Sequence, residues 1–155
     1  MPPVIIDKAV LLLCLVGLYI SVYFTLLAYG RIWSGSRLVP ALFRMGGGAC
    51  STVLQHPDAR LFGLPNSLVG IAYYTLIALA TVVFGVRQMP GLIVGGAWAV
   101  VGAGIYLVYS LYARVRVGCR LCLATHVINL LIALVLSLGP AFLKEMNDGA
   151  RYTLR

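Results

Sequence analysis

The stretch AVLLLCLVGLYISVYFTLLAYG, residues 9–30, contains no charged side chain. About 20 predominantly apolar residues are enough for an α-helix to cross the hydrocarbon core of a bilayer. Three later runs, residues 64–86, 92–113 and 121–143, have the same character. The sequence therefore predicts an all-α fold, an integral membrane four-helix bundle that forms a single membrane domain over residues 1–155. We expect close helix approach at the small residues of the third run, which are Gly95, Gly96, Gly102 and Gly104.

The composition supports this assignment and excludes another class of protein. Hydrophobic residues make up 61% of the chain and charged residues only 10%, whereas soluble domains carry about 25% charged residues. The net charge is +8, which raises the possibility of nucleic-acid binding. The basic residues, however, are scattered singly between the apolar runs, as is typical of the flanks of membrane spans. We therefore expect membrane lipid, and no nucleic acid, around this chain.

One long connection, residues 31–63, joins the first two spans. A loop of this length is usually functional or disordered. Four spans place both termini on one side of the membrane, so this loop and the turn before the fourth span share the other side. Topology alone therefore predicts that Cys50 and Cys119 face the same compartment.

A Cys-x-x-Cys motif, Cys119-Arg120-Leu121-Cys122, opens the fourth span. Residues at i and i+3 lie on one face of a helix. The positive end of the helix dipole and Arg120 both favour the thiolate form of Cys119. Such a pair can cycle between dithiol and disulfide, and Cys122, one turn deeper, is placed for a lipid-soluble oxidant such as a quinone. Two structural cysteines or a metal site are the alternatives.

Polar residues near this depth extend the candidate site. His126 follows Cys122 by one turn on the same face, where it could hydrogen-bond a quinone carbonyl or move a proton; a histidine bonded to a backbone carbonyl is the alternative. Asn66 and Ser67 begin the second span at about the depth of Cys122. Their side chains could donate to a bound carbonyl oxygen, or they could simply cap the helix.

We expect different roles for the two remaining cysteines. Cys50 follows three glycines in the long loop, so we expect a mobile thiol that visits both a partner protein and Cys119, the alternative being an inert loop cysteine. Cys14 lies about 24 Å along the first span from its outer end, at 1.5 Å per residue. We expect Cys14 to be a packing residue.

Three stretches together are specific to one known family. They are CSTVL at 50–54, FGLPNSLVG at 62–70 and CRLCLATH at 119–126. In order and spacing this sequence resembles the vitamin K epoxide reductase family, including its bacterial and archaeal members. The resemblance implies a four-helix bundle around a quinone of the ubiquinone or menaquinone type.

The resemblance also implies roles for individual residues. Cys122 would react with the quinone, Cys119 would be its disulfide partner, and Cys50 would exchange disulfides with Cys119. Asn66 matches the position that hydrogen-bonds the substrate in vertebrate members. His126 takes the place of a tyrosine that does the same from the fourth span, and no resident metal is implied.

Prokaryotic relatives oxidise a secreted thioredoxin-like partner and pass the electrons to the quinone pool. The resemblance therefore implies a membrane thiol:quinone oxidoreductase that supports disulfide-bond formation in secreted proteins, with a periplasmic or extracytoplasmic thioredoxin-like partner. One alternative is a quinone epoxide reductase of the vitamin K type. Another is a non-catalytic subunit with a structural disulfide, or with a zinc held by cysteines and His56 or His126.

Two signals bear on which side the loop faces. Seven of the twelve basic residues lie on the loop side and five on the terminal side, a slight excess that favours a cytoplasmic loop. Disulfide chemistry belongs to oxidising compartments. We give the second argument precedence and expect a multi-pass protein of the cell membrane with an extracytoplasmic loop.

The sequence departs from the family pattern in the loop. The family usually has a second cysteine six to eight residues before the first, where this chain has Leu42, Phe43 and Arg44. The pair that shuttles electrons is therefore incomplete. A partner thiol could attack Cys50 or Cys119 directly, or the missing cysteine could have been replaced by engineering. His56-Pro57-Asp58 also stands where relatives carry a loop serine and tryptophan.

Overall fold

A computed structural model describes residues 3–32, 60–61, 64–110, 112–113 and 119–153 of the chain, with side chains for 4–32, 65–110, 112–113 and 119–140. The elements are α1 (Pro3–Ala28), β1 (Arg60–Leu61), β2 (Leu64–Pro65), α2 (Asn66–Phe84), α3 (Gly91–Ser110) and α4 (Arg120–Thr153). A single 3₁₀ turn, Val86–Gln88, joins α2 to α3.

Each of the four helices is long and apolar enough to cross a membrane. The candidate spans are Val4–Ala28, Asn66–Phe84, Gly91–Ser110 and Arg120–Pro140. Because lipid offers the backbone no hydrogen bonds, helices that satisfy their own N–H and C=O groups are the expected solution. The predicted helical membrane bundle is confirmed. A short antiparallel pairing that the sequence did not predict, β1 with β2, immediately precedes α2.

The bounds of α1 and α4 differ from the predicted spans. The helix α1 begins at Pro3 and so includes Asp7, whose Oδ1 accepts a 2.9 Å hydrogen bond from the backbone N–H of Val86. The helix α4 continues through Pro140 to Thr153. At its other end α1 stops at Ala28. Gly30, two residues beyond, has a φ of 67° and closes a Schellman motif, in which the N–H of Arg31 donates to the carbonyl of Leu26 at 2.8 Å.

The helix α1 is central to the packing. It contacts both α2 and α4, whereas the main packing partner of α3 is α4. Only 11% of the span in α3 is buried, so α3 lies at the periphery of the bundle. The core includes Val10, Cys14, Tyr74 and Ile132, so the prediction that Cys14 is a packing residue is confirmed.

Two contacts fix the relative direction of α2 and α4. In the interior of the bundle, Tyr74 contacts Asn129. Farther along, Val86 would touch a Cβ placed on Gly139. The two helices therefore run parallel, and both start at the end of the bundle where α1 finishes. We call this the loop end.

Candidate redox site at the loop end

The two cysteines of the Cys-x-x-Cys motif lie together at the start of α4. Both are free thiols, and their Sγ atoms are 2.6 Å apart. A covalent disulfide has an S–S length of about 2.05 Å, so the bond can form with little movement of either residue. The prediction that Cys119 and Cys122 share one face of the helix is confirmed.

The position of Cys119 also serves the helix itself. Its Sγ accepts a 3.3 Å hydrogen bond from the backbone N–H of Cys122, and its carbonyl oxygen accepts from the N–H of Leu123 at 3.1 Å. Cys119 is thus the N-cap of α4, at the positive end of the helix dipole. Both the N–H group and the dipole stabilise a thiolate at this sulfur. Cys119 is only 2% exposed, whereas Cys122 is half-buried.

His126 lies one turn deeper on the same face and points at α3. A Cβ added to Gly104 would sit 2.7 Å from its Nδ1 atom, so the absence of that carbon makes room for the imidazole. The Nδ1 atom is buried and has no hydrogen-bond partner within the described part of the chain. A buried polar atom without a partner is costly, so a ligand oxygen that reached Nδ1 would relieve that cost.

The first residues of α2 are partly committed to helix packing. The N-cap position is Pro65, so the capping role considered for Asn66 and Ser67 does not apply. The hydroxyls of Ser67 and Thr25 share a 2.9 Å hydrogen bond, and Thr25 Oγ1 also bonds the carbonyl of Ser21 at 2.8 Å. A carbonyl oxygen can only accept, so Thr25 must use its single hydroxyl proton to make that bond. The hydroxyl of Ser67 is then the donor in the hydrogen bond between the two side chains.

Several predicted residues lie outside the described part of the chain. Cys50 and His56 are among them, and their predicted roles stay predictions. In the described ranges, no three histidine, cysteine or acidic side chains gather as a metal ion would require.

A buried hydrogen bond near the site was missed by sequence reasoning. The hydroxyl of Tyr74 donates to Oδ1 of Asn129 at 2.6 Å. Asn129 shares a helix face with Cys122 and His126, at i+7 and i+3, so its spacing was a signal that could have been used. Nothing in the sequence singles out Tyr74. The adjacent Tyr73 hydroxyl is buried and, in the residues described, lacks a partner.

An apolar groove of about 490 Å³ also lies beside α4, against α1. Its lining includes Tyr19, Tyr23, Ala124 and Ile128. Ala124 is two residues beyond Cys122, which is about 200° around the helix. The groove therefore faces away from the thiols and His126, and it is not the space into which the redox site opens.

The comparisons with known proteins agree with this geometry. The family model for the vitamin K epoxide reductase family matches residues 8–137, which include both cysteines of the motif and most or all of each of the four spans. No individual curated protein matches the chain significantly. The chain therefore belongs to the vitamin K epoxide reductase family and is a multi-pass membrane oxidoreductase of that type.

Proposed function

We propose that this protein is a thiol:quinone oxidoreductase that supports disulfide-bond formation in secreted proteins. It would oxidise a thioredoxin-like partner and reduce a quinone of the ubiquinone or menaquinone type. The observation that carries the proposal is the thiol pair, 2.6 Å apart, with the unpartnered Nδ1 of His126 one turn deeper on the same face. Quinones are the electron acceptors of the family to which the chain belongs.

The residues of the site fit a quinone in two respects. His126, in the tautomer with a proton on Nδ1, can donate to a carbonyl oxygen in a region where water does not compete. Asn66, at the start of α2, offers an amide donor at the same end of the bundle. Oxidation of the Cys119–Cys122 dithiol releases two electrons and two protons, which a quinone takes up as it becomes hydroquinone.

The two cysteines divide the work by position. Cys122 is the deeper and more accessible of the pair, so it faces the lipid-soluble acceptor. Cys119 caps the helix at the loop end, where its stabilised thiolate is a good leaving group in disulfide exchange. In this proposal thiol exchange occurs at the loop end and quinone chemistry occurs deeper in the bundle.

Electrons would enter through Cys50. Because Cys119 is 2% exposed, a folded partner reaches it less easily than a loop thiol does. The thiolate of Cys50 would attack Cys119 in the disulfide, which leaves a Cys50–Cys119 bond and a free Cys122 thiol. A partner thiolate would then attack Cys50 in this bond and release the Cys119 thiol. The partner's second thiol would next attack the mixed disulfide between the partner and Cys50, which releases the Cys50 thiol. A second loop cysteine is therefore not needed. This exchange would occur on the extracytoplasmic side of the cell membrane.

Stopped-flow spectroscopy of quinone reduction by the purified protein, with a reduced thioredoxin-like donor, tests the proposal. We expect hydroquinone to form with the native protein and not with Cys122→Ala. Cys14→Ala is the matched control, because Cys14 is a buried free thiol in the core, and it should retain activity. Failure of the folded native protein to reduce any quinone would refute the proposal.

The two rival functions give different results in the same preparation. A vitamin K-type reductase would turn over a quinone epoxide with a dithiol as electron source. A structural subunit would carry stoichiometric zinc, or would hold its cysteines as a disulfide that no donor reduces. Metal analysis and epoxide turnover therefore separate the three possibilities.

A further inference from the structure

The hydrogen bond between Tyr74 and Asn129 connects two helices in the interior of the bundle. The donor and acceptor are 2.6 Å apart, and the residues are 1% and 6% exposed. At this depth lipid supplies no alternative partner for either group. The bond is therefore a specific contact between α2 and α4, and any slip of one helix against the other would break it.

The ring of Tyr74 is itself held in one place. A Cβ on Gly17 of α1 would lie 2.3 Å from the ring. The ring therefore occupies the space that the side chain of any residue other than glycine would need at this position. One turn before Tyr74, Gly70 is also packed closely on α1, since a Cβ there would lie 2.6 Å from Oγ of Ser21. The hydroxyl of Tyr74 is thus presented to α4 from a position fixed by both α1 and α2.

The position of this bond along the two helices relates it to the redox site. Tyr74 is eight residues beyond Asn66, which is about 12 Å along α2, and Asn129 is seven residues beyond Cys122, about 10.5 Å along α4. Because the two helices run parallel, a bond that joins their deeper points holds their first turns level. Asn66 and Cys122 are therefore kept at nearly the same depth.

We propose that Tyr74 and Asn129 are positioning residues that set the register between the quinone-binding group on α2 and the reactive thiol on α4. The proposal rests on the quinone chemistry proposed above. A carbonyl held by Asn66 then lies at the depth of the Cys122 sulfur. Without the hydrogen bond between the two helices, Asn66 and Cys122 are both still present. They are no longer held at one depth, so they cannot contact the same bound quinone ring at the same time.

The experiment compares Tyr74→Phe, Asn129→Leu and the double variant with the native protein. A misplacement of about 1 Å between reacting groups can reduce a rate about a hundredfold. We expect each single variant to lower kcat for quinone reduction by about tenfold, with a change in quinone KM of less than about twofold. Oxidation of the Cys119–Cys122 dithiol by a small water-soluble disulfide should be unchanged, because that reaction involves α4 alone.

The double variant separates a positioning role from a merely structural one. Replacing both partners of a buried hydrogen bond by apolar groups is often nearly neutral for stability. We therefore expect its thermal stability to return toward the native value while kcat stays low. Recovery of kcat together with stability would overturn the proposal.

A second bond between helices provides the matched control. Nε1 of Trp98 on α3 donates to Ser137 on α4 at 2.9 Å, and Trp98→Phe should leave kcat unchanged. An equal loss of kcat in Trp98→Phe, or native kcat in Tyr74→Phe, would overturn the proposal while the quinone function stands. If the native protein reduces no quinone, the proposed function and the positioning role fail together.

Discussion

The backbone N–H of Cys122 donates a 3.3 Å hydrogen bond to the Sγ atom of Cys119. The sulfur that we propose as a redox group is therefore also the N-terminal cap of α4. When Cys119 is a thiolate, the N–H group and the helix dipole stabilise its charge. The redox state of the pair and the stability of the first turn of this helix are thus coupled.

Substitutions at Cys119 should separate its two roles. Cys119→Ala removes the sulfur and the cap, whereas Cys119→Ser removes the redox chemistry but leaves an oxygen that can cap the helix. Both variants should lose quinone reduction. Loss of an N-cap costs about 1 kcal/mol, so we expect the alanine variant to unfold at a lower temperature than the serine variant. Thermal unfolding of the reduced proteins in detergent measures this difference, and equal midpoints would show that the cap contributes nothing.

The space at Gly104 should control the quinone affinity through His126. In Gly104→Ala the new Cβ would lie 2.7 Å from Nδ1, so the imidazole must move. Loss of one hydrogen bond of about 1 kcal/mol corresponds to an increase of about fivefold in quinone KM. Steady-state kinetics over a range of quinone concentrations measures the change.

Two further variants test whether the effect passes through the imidazole. Gly102→Ala is the matched control, because a Cβ there would meet no atom of the described part of the chain within 4 Å, and its KM should stay at the native value. Gly104→Ala should also have no additional effect in a His126→Leu background. A further increase of KM in that background would show that the alanine acts by another route.

The apolar runs predicted the number and class of the helices because lipid demands length and hydrophobicity of any span. They did not predict where α1 begins. The charge of Asp7 is accommodated by the N–H of Val86, which lies 79 positions away in sequence. A hydrogen bond between residues so far apart in sequence forms only after α1 and α2 have packed together, so the pattern of apolar runs cannot predict it.

The site shows the same division between local and tertiary signals. Cys119, Cys122 and His126 could be placed on one face because helical spacing is local. The expectation of close helix contact at the glycines of α3 was wrong for Gly95, Gly96 and Gly102 as far as the described residues go, because a Cβ there would meet none of them within 4 Å. Which glycine faces α4 depends on how α3 is rotated about its axis, and no spacing within α3 determines that rotation.

Removal of the Asp7 carboxylate should destabilise the bundle at the end opposite the thiols. The residue Val86 is fully buried, and a buried N–H left without its acceptor costs about 1–3 kcal/mol. We expect Asp7→Ala to lower the midpoint of thermal unfolding and Asp7→Asn, which keeps an acceptor oxygen, to lower it less. Lys8→Ala, at the exposed neighbouring position, is the control. Quinone reduction below the unfolding temperature should be native in all three, and a specific loss of turnover in Asp7→Ala would contradict this assignment.

Asn66 and Ser67 are adjacent, but we propose Asn66 as the quinone-binding group and Ser67 as a helix contact. The hydroxyl of Ser67 is bonded to Thr25 at 2.9 Å, and its proton is committed when Thr25 donates to Ser21. We therefore expect Asn66→Ala to raise the quinone KM by about fivefold, the effect of one lost hydrogen bond of about 1 kcal/mol. Ser67→Ala should change KM by less than about twofold and should instead lower thermal stability.

Thr25→Val removes the same helix contact from the other side, so it should reproduce the stability loss of Ser67→Ala. A KM increase in Ser67→Ala as large as that in Asn66→Ala, with no such increase in Thr25→Val, would make Ser67 a direct quinone ligand.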